Sequence, residues 1–461
     1  MNKLLVILFL LSVFLINFLP VKDTDFGWHY RCGKENCTKN HFSYFLPDYP
    51  AANPSFLYDK ALAFTYDRFG FVGVSVFGGL IMTLAAYFFL LITDNESSIT
   101  FLFFYLVLFL SWPVFNLGLR SQIITYLFFL LSLFLVKKSK KNFRWLWLFP
   151  AMMLVWVNTH IGFFVGLIIL AIFLASKYML PLHDRATKVR EMLFPTMMLL
   201  LSVLATLINP FGINVYRTII DHVTSPMNLM IAEWTRPSLL QQVIIIGLTI
   251  TFFIVIARKK IFPLFDILML LFFALLALMG IRNLLFFYTI FFIVISNQLD
   301  HDRDQVGNFL LPIIMALTIF FVIINIPATI TFDQSFNIYC TQGLSHYPCQ
   351  AIKNYPVLSG NVYAAYEWGG FLIWQKPQIK VYADGRMPAW RDENNRSPYR
   401  DYLDIIQAQP GWNEQLRKLK TDYLLIMPGT FLDLLLQKDS QKYGWQEKYR
   451  DDVAVIYKNV L

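Results

Sequence analysis

Residues Asp23-Thr24-Asp25-Phe26-Gly27-Trp28-His29 place two carboxylates, an indole and an imidazole in one short stretch, directly after the first apolar run of the chain. A carboxylate held near a membrane surface can act as general base, taking the proton from an attacking hydroxyl. Asp25 and Asp23 are the candidates for that base, with His29 as a third titratable group. Trp28 is a candidate substrate contact or a headgroup-depth anchor, a place tryptophan favours. The plain alternative for the whole stretch is a solvated loop after a helix.

Other polar residues sit at the ends of apolar runs. Arg120 and Gln122 close the segment Asn116-Leu117-Gly118-Leu119-Arg120-Ser121-Gln122. Asn158-Thr159-His160 ends another run, and Asn209-Pro210-Phe211-Gly212 opens a long stretch that holds Glu233-Trp234. Arg282-Asn283 interrupts the apolar sequence between Leu264 and Ile295. An arginine at membrane depth costs about 2.5–3.5 kcal/mol on insertion scales, so it ordinarily faces the bundle interior and has a partner. Snorkelling of its long stem to the headgroups is the alternative. Arg282, Arg120 and His160 are therefore read as groups that bind a phosphate, with Gln122, Asn158, Glu233 and Trp234 as substrate contacts. The expectation is one outward-facing cavity. In it a carboxylate would remove the acceptor proton, and arginines would bind a phosphate leaving group as its negative charge grows.

The elements that must position these residues are apolar helices. The chain of 461 residues is 57% hydrophobic and 17% aromatic but only 15% charged, with a mean hydropathy of +0.51. Soluble domains carry roughly 25% charged residues. The apolar runs are too long and uniform for barrel strands, which alternate. The class is an α-helical polytopic membrane protein, because only helices and closed barrels satisfy the backbone in lipid. Runs near 4–20, 71–93, 99–115, 120–136, 144–157, 162–181, 191–208, 239–257, 262–280, 283–298 and 308–328 predict about eleven spans. The first is read as an uncleaved helix rather than a signal peptide, since no small-residue cleavage site precedes Asp23.

The net charge of +9 does not indicate nucleic acid, because the basic residues cluster in short loops. Lys137-Lys138-Ser139-Lys140-Lys141 with Arg144, the segment from His183 to Arg190, and Arg258-Lys259-Lys260 agree on one inner side. A plasma-membrane, multi-pass protein with a cytoplasmic N-terminus follows. Residues 21–70 and everything after about residue 329 are then extracytoplasmic. Cys32, Cys37, Cys340 and Cys349 all fall on that outer side, as two close pairs. Disulfides Cys32–Cys37 and Cys340–Cys349 are expected in an oxidising compartment; a zinc site is the rival reading. Asn36-Cys37-Thr38 matches a glycosylation sequon.

Residues 1–328 form the predicted transmembrane domain, with the outer loop 21–70 carrying the Asp pair. Residues 329–461 form a small α/β domain. In that tail, Val362–Tyr366, Gly369–Trp374, Lys380–Arg386, Tyr423–Met427 and Val453–Tyr457 read as β-rich runs. Helical stretches cover Pro398–Gln407 and Asn413–Lys420. Asp384 and Arg386 either contact a sugar or cap a turn. No P-loop, no GxGxxG after a strand, no HExxH and no GxSxG is present. No nucleotide cofactor is expected, and a divalent metal stays open.

In these blocks the chain resembles the polytopic glycosyltransferases of the GT-C fold. It resembles more narrowly bacterial members with an Asp-x-Asp-x-x-Trp-His first loop, matched here by Asp23, Asp25, Trp28 and His29. The segments around Asn116–Gln122, Asn158–Gly162, Asn209–Gly212, Glu233-Trp234, Glu367-Trp368-Gly369-Gly370 and Ala383-Asp384-Gly385-Arg386 continue the likeness in block order. Gly27 replaces an aromatic that many relatives carry, and Ile161 stands where relatives often have glycine. The resemblance implies a polyprenyl-phosphate sugar donor, inversion at the anomeric carbon and a first-loop aspartate as base, with Asp25 favoured. The partners expected are the lipid bilayer, that donor, and an acceptor glycan, lipid or protein, with no nucleic acid. Two other readings compete: a transporter or flippase of lipid-linked glycans, and a non-catalytic scaffold with an outer binding domain. Transfer of a phospho-group is a further enzyme option. A transporter would want polar or charged residues near mid-membrane and often an inverted repeat, but Asp266, the only acid well inside a long apolar run, lies near its inner end and no repeat is evident.

Overall fold

The computed structural model describes residues 3–50, 52–93, 98–179, 185–298, 304–332 and 347–461. The chain divides into two compact units. One comprises Met1–Val21, Phe69–Gly212 and Leu229–Ile330; the other comprises Lys22–Arg68, Ile213–Asn228 and Thr331–Leu461. Residues 22–68, which the sequence alone assigns to a loop of the helical part, cluster with the tail.

The first unit is helical. Among the described residues four helices are long and apolar enough to cross a membrane: Phe56–Thr93, Ser121–Ser139, Ile161–Met179 and Leu239–Lys259. The first of these is broken at Gly70, whose φ of 61° and ψ of −160° suit only glycine; its apolar part follows that break. Shorter apolar helices of 10–17 residues accompany them. At 1.5 Å per residue a 15-residue helix covers about 22 Å, less than a hydrocarbon core of about 30 Å.

Large aromatic side chains fill this unit. Phe9 stacks on Phe101 at 4.5 Å, and Phe129 meets Phe273 and Phe286 edge-on at 5.4 and 4.9 Å. Such pairs add about 0.5–1.5 kcal/mol beyond area burial. Sparse polar bonds tie the helices together: Ser75 donates to the Leu19 carbonyl at 2.7 Å, and the Tyr126 and Thr289 hydroxyls lie 3.1 Å apart. Helix Leu239–Lys259 starts with a capping box of Ser238 and Gln241, and ends at Lys260 in the left-handed region.

The second unit is built on a five-stranded mixed sheet: β1 Gly360–Ala364, β2 Ile379–Val381, β3 Tyr423–Ile426, β4 Trp445–Arg450 and β5 Val455–Asn459. The order is β2-β1-β3-β5-β4. β1 pairs in parallel with β2 (Val362 opposite Val381) and with β3 (Val362 opposite Tyr423). β5 pairs antiparallel with β3 and β4. Alternation with helices Pro398–Ile406 and Trp412–Lys418 makes this the expected small α/β fold.

One expected strand is a helix. Gly369–Gln375 is helical, and its first five residues, through Ile373, are buried. A short, wholly apolar run carries no periodicity that separates strand from helix.

The first loop is ordered by this unit. Phe26–Glu35 is a helix that ends at Asn36 in the left-handed region, and the Cys32–Cys37 disulfide closes just beyond it. That bond sets aside zinc for this pair. Cys349 is also disulfide-bonded; its expected partner, Cys340, lies outside the described residues. Residues 42–44 extend the sheet at β2. The Val381 amide donates to the Phe42 carbonyl at 2.9 Å, and the Tyr44 amide donates to Val381 at 3.2 Å.

Candidate active site

In the second unit, Asp25 sits at the N-cap of helix Phe26–Glu35, with φ −86° and ψ −10°, yet makes no side-chain cap hydrogen bond. Capping would ordinarily occupy such a carboxylate. Here it lies against Gly385 instead: a methyl group on that glycine would be 2.0 Å from Asp25 Oδ1. Asp23, 4% exposed, accepts from the Asp25 amide at 3.3 Å and so steadies the turn.

The helix is held by a glycine contact. A methyl on Gly27 would lie 1.9 Å from the Gly370 carbonyl oxygen, and one on Gly370 would lie 2.3 Å from that of Thr24. The absence of a side chain at Gly27 thus fits two backbones in direct contact.

Asp384 and Arg386 meet each other rather than standing apart. Arg386 Nε and Nη2 donate to Asp384 Oδ1 and Oδ2, both at 2.7 Å. Its Nη2 also donates to Asn40 Oδ1 at 3.1 Å, and its guanidinium lies 5.1 Å from the Phe42 ring and 5.3 Å from the Trp390 ring. A bidentate, stacked arginine is rigid, so this pair fixes the wall of the Asp25 cluster. Tyr366 belongs to the same cluster. Burial first, then the charges of Asp25 and Asp384, push its phenol well above the ordinary value, so it stays protonated.

His29 is 4% exposed and its Nδ1 lies 2.5 Å from Asp59 Oδ1. Asn53 donates to the other Asp59 oxygen at 2.6 Å. Trp28 stacks on His29 with ring centroids 3.6 Å apart. The buried Trp28 indole N–H has no hydrogen-bond partner among the described residues, which is costly unless a ligand supplies one. Asp59, Asn53, Asn40 and Tyr366 were not among the residues expected from sequence. Their only sequence signal is residue type, since Asp59 lies thirty positions from His29.

In the first unit the cations gather around one acid. Arg120, 8% exposed, donates from Nη1 to Glu233 Oε1 at 2.6 Å. The Arg282 guanidinium lies 4.3 Å from the Trp234 ring. The Ile281 amide donates to the Thr235 carbonyl at 3.0 Å, which joins the two segments. Burial pushes the Glu233 carboxyl up, but the charge and hydrogen bond of Arg120, with the charge of Arg282, bring it below its usual range. Two guanidiniums against one ionised carboxylate leave a net positive charge, which suits an anion.

His160 caps the turn Ile161–Phe163: its Nδ1 accepts from the Gly162 amide at 3.1 Å and lies 2.7 Å from the Thr125 hydroxyl. The ring proton is therefore assigned to Nε2. Asn158 donates to the Leu154 and Ile208 carbonyls at 2.8 and 3.0 Å. Gln122 is half-buried in the first turn of helix Ser121–Ser139. Among the described residues no group of three or more His, Cys, Asp or Glu side chains is placed to hold a metal ion.

No protein-family model matches the chain, and no curated protein matches it by sequence. Solved structures do match by fold. The apo oligosaccharyltransferase of Archaeoglobus fulgidus superposes with a TM-score of 0.58 at 11% identity, over 99% of this chain and 75% of that one. The same enzyme tethered by a disulfide to an acceptor peptide with the NVT sequon gives 0.57 at 10% identity, over 100% and 74%. The archaeal oligosaccharyltransferase AglB of that organism, in complex with an inhibitory peptide and a dolichol-phosphate, gives 0.56 at 10% identity, over 99% and 74%. At such identity the likeness speaks for fold, and the fold is of the GT-C kind expected from the sequence.

Proposed function

We propose that this protein is a membrane glycosyltransferase that moves a sugar or glycan from a polyprenyl-phosphate donor to an acceptor on the extracytoplasmic face. The observation that carries this reading is Asp25, a helix-start carboxylate that does not cap its own helix and is held against Gly385 beside a locked Asp384–Arg386 pair. The fold of an oligosaccharyltransferase over nearly the whole chain supports it. So does the dolichol-phosphate in a structure of that fold, which favours a lipid phosphate as donor. The acceptor peptide seen with another copy of the fold makes a protein acceptor the first to test, before a glycan or a lipid.

The carboxylate cluster is assigned the acceptor and the cationic cluster the donor phosphate. Asp25 takes the acceptor proton as the acceptor atom bonds to the anomeric carbon. The bond from that carbon to the phosphate oxygen breaks, with inversion. Arg120 and Arg282 bind the phosphate as its charge grows. Asp23 and His29 hold the base in place, while Trp28 and Tyr366 offer donors to the substrate. Gln122, Asn158, His160, Glu233, Trp234, Asp384 and Arg386 line or brace the substrate groups. Within this reading the protein crosses the membrane about eleven times, its N-terminus is cytoplasmic, and it belongs with the bacterial Asp-x-Asp first-loop group.

The deciding experiment reconstitutes the purified protein with labelled polyprenyl-phosphate sugars and peptide, glycan and lipid acceptors. Wild-type transfer lost in Asp25→Asn supports the reading. Transfer unaffected by Asp25→Asn and by Asp23→Asn removes the base. Glycan crossing vesicle membranes without bond formation makes the protein a transporter.

A further inference from the structure

Helix Phe56–Thr93 changes character at Gly70, where its backbone is non-helical. In residues 56–69, ahead of that break, Tyr58, Asp59, Leu62 and Ala63 form a buried side. The other side is the reverse of a soluble surface helix, which turns polar residues outward. Leu57 and Phe64, two turns apart on one face, are both exposed, Phe64 by 60%. Exposed Arg68 continues that stripe one turn further, and half-buried Lys60 flanks it.

The cations on this face stand over aromatic rings: Arg68 lies 5.5 Å from the Phe64 ring and Lys60 5.9 Å from the Phe56 ring. Asp67, next to Arg68, does not cancel them, because it accepts from Lys34 at 2.5 Å and from Tyr30 at 2.9 Å. An apolar stripe beside uncancelled cations is the composition of a helix lying in a lipid headgroup layer.

Continuity with a span favours lipid over a protein partner. Gly70 alone joins residues 56–69 to the apolar part of the helix. There Leu80, Leu84 and Tyr87 are exposed, as lipid-facing side chains of a span are. The glycine break turns the first segment off the axis of that span, so it does not extend the span into water. The design recurs in helix Asn214–Thr224, which follows the apolar helix Arg185–Thr206 in the chain. There Ile213 and Ile220 are 67% and 60% exposed, with Val223 and Arg217 exposed beside them. Phe431 and Leu434 are exposed on helix Phe431–Asp439 too, but no apolar helix adjoins it in the chain, and exposure alone names no occupant there.

We infer that residues 56–69 lie in the headgroup layer of the bilayer, with Leu57 and Phe64 at the acyl boundary and Lys60 and Arg68 on the phosphates of anionic phospholipids. Helix Asn214–Thr224 lies in that layer through its own apolar stripe. The inference rests on the membrane reading and not on the transfer reaction. It gives the buried side a consequence: Asp59, which bonds His29, is carried by a segment whose other side is set by lipid.

The test uses the full-length protein in vesicles of phosphatidylcholine, with and without phosphatidylglycerol. Cys32, Cys37 and Cys349 are disulfide-bonded, so a nitroxide is attached through Ala61→Cys on the stripe face, Thr224→Cys, or Lys448→Cys on β4 as the aqueous control. The expected result is that oxygen reaches positions 61 and 224 better than a water-soluble nickel chelate does, with the reverse at 448. Phosphatidylglycerol should raise the immersed fraction at 61. Lys60→Gln and Arg68→Gln should lower it about fivefold for each cation lost, at an unchanged melting temperature. Position 61 in water in both membranes overturns the inference. Shielding from both reagents overturns it too, since a protein surface then covers the face. Immersion indifferent to phosphatidylglycerol and to both substitutions overturns the assignment of anionic lipid. Retention in the vesicles through an alkaline wash checks the spans separately: loss there overturns the membrane reading, whereas retention with a water-exposed label overturns this inference alone.

Discussion

The two units handle charge in opposite ways. Around Asp25 lie further carboxylates, and Arg386 is locked on Asp384 by two bonds of 2.7 Å. Around Glu233 the cations outnumber the acid, with Arg120 bonded to it and Arg282 stacked on the neighbouring Trp234. A carboxylate-rich cluster suits proton removal, and a cation-rich one suits a phosphate. The backbone differs too. Asp25 is located by glycine contacts and a sheet, whereas Arg120 and Arg282 stand at helix starts, where apolar packing leaves few other places for charge.

The sharpest way to break this comparison is to neutralise each cluster in turn. Asp25→Asn is expected to lower the rate of transfer by on the order of 10²–10⁴-fold, the usual weight of a general base, with donor affinity kept. Labelled-donor turnover and equilibrium donor binding read the two quantities. If donor affinity falls as much as the rate, the division of labour is wrong. Arg282→Ala should do the reverse, weakening donor binding about tenfold to a hundredfold through loss of a charge-assisted contact. Donor affinity unchanged in that variant makes Arg282 a packing residue for Trp234.

Two smaller effects test how the carboxylate cluster is held. Gly27→Ala forces a methyl against the Gly370 carbonyl, and an overpacked backbone contact costs about 1–3 kcal/mol. Transfer should fall and the melting temperature drop, whereas Gly247→Ala, where a methyl meets nothing within 4 Å, should change neither. Equal behaviour of the two variants dismisses the glycine contact.

The least effect on transfer is expected at Asp433, in helix Phe431–Asp439. Its buried carboxylate accepts from Arg450 at 2.8 Å, Tyr457 at 2.6 Å and the Gly429 amide at 2.8 Å. Burial opposes ionisation, but these donors hold its pKa below the ordinary carboxylate value. A depressed pKa contributes stability that is complete above the unfolded value of about 3.9 and is lost as the pH falls through the lower folded value. Acid melting of the second unit should therefore begin below about pH 4, and Asp433→Asn should flatten that dependence. A pH profile identical in the variant refutes the assignment.

Much of this was legible in the sequence. Long runs of Leu, Ile and Phe permit only helices in lipid, so the helical class followed from composition. The close spacing of Cys32 and Cys37 marked their disulfide. The block containing Asp23, Asp25, Trp28 and His29 marked the residues to watch. The Gly369–Trp374 helix was not legible, because a short apolar run fits either period. Nor were Asp59, Asn53 and Tyr366, since residue type alone does not distinguish a buried partner from a surface polar group.

By itself, then, the sequence determined which segments are apolar helices and which polar residues had no ordinary reason to be there. Apolar length and charge count are local properties, and lipid and backbone hydrogen bonding act on them directly. Only the tertiary structure decided that residues 22–68 pack with the tail, that Arg386 holds Asp384, and that Arg120 meets Glu233. The packing of residues 22–68 and the Arg120–Glu233 pair join residues more than a hundred positions apart. Asp384 and Arg386 stand two positions apart, but their pairing is fixed by Asn40, Phe42 and Trp390 around them. Such pairings are selected by which backbones can approach, as Gly27 and Gly370 do, and no local pattern encodes that choice.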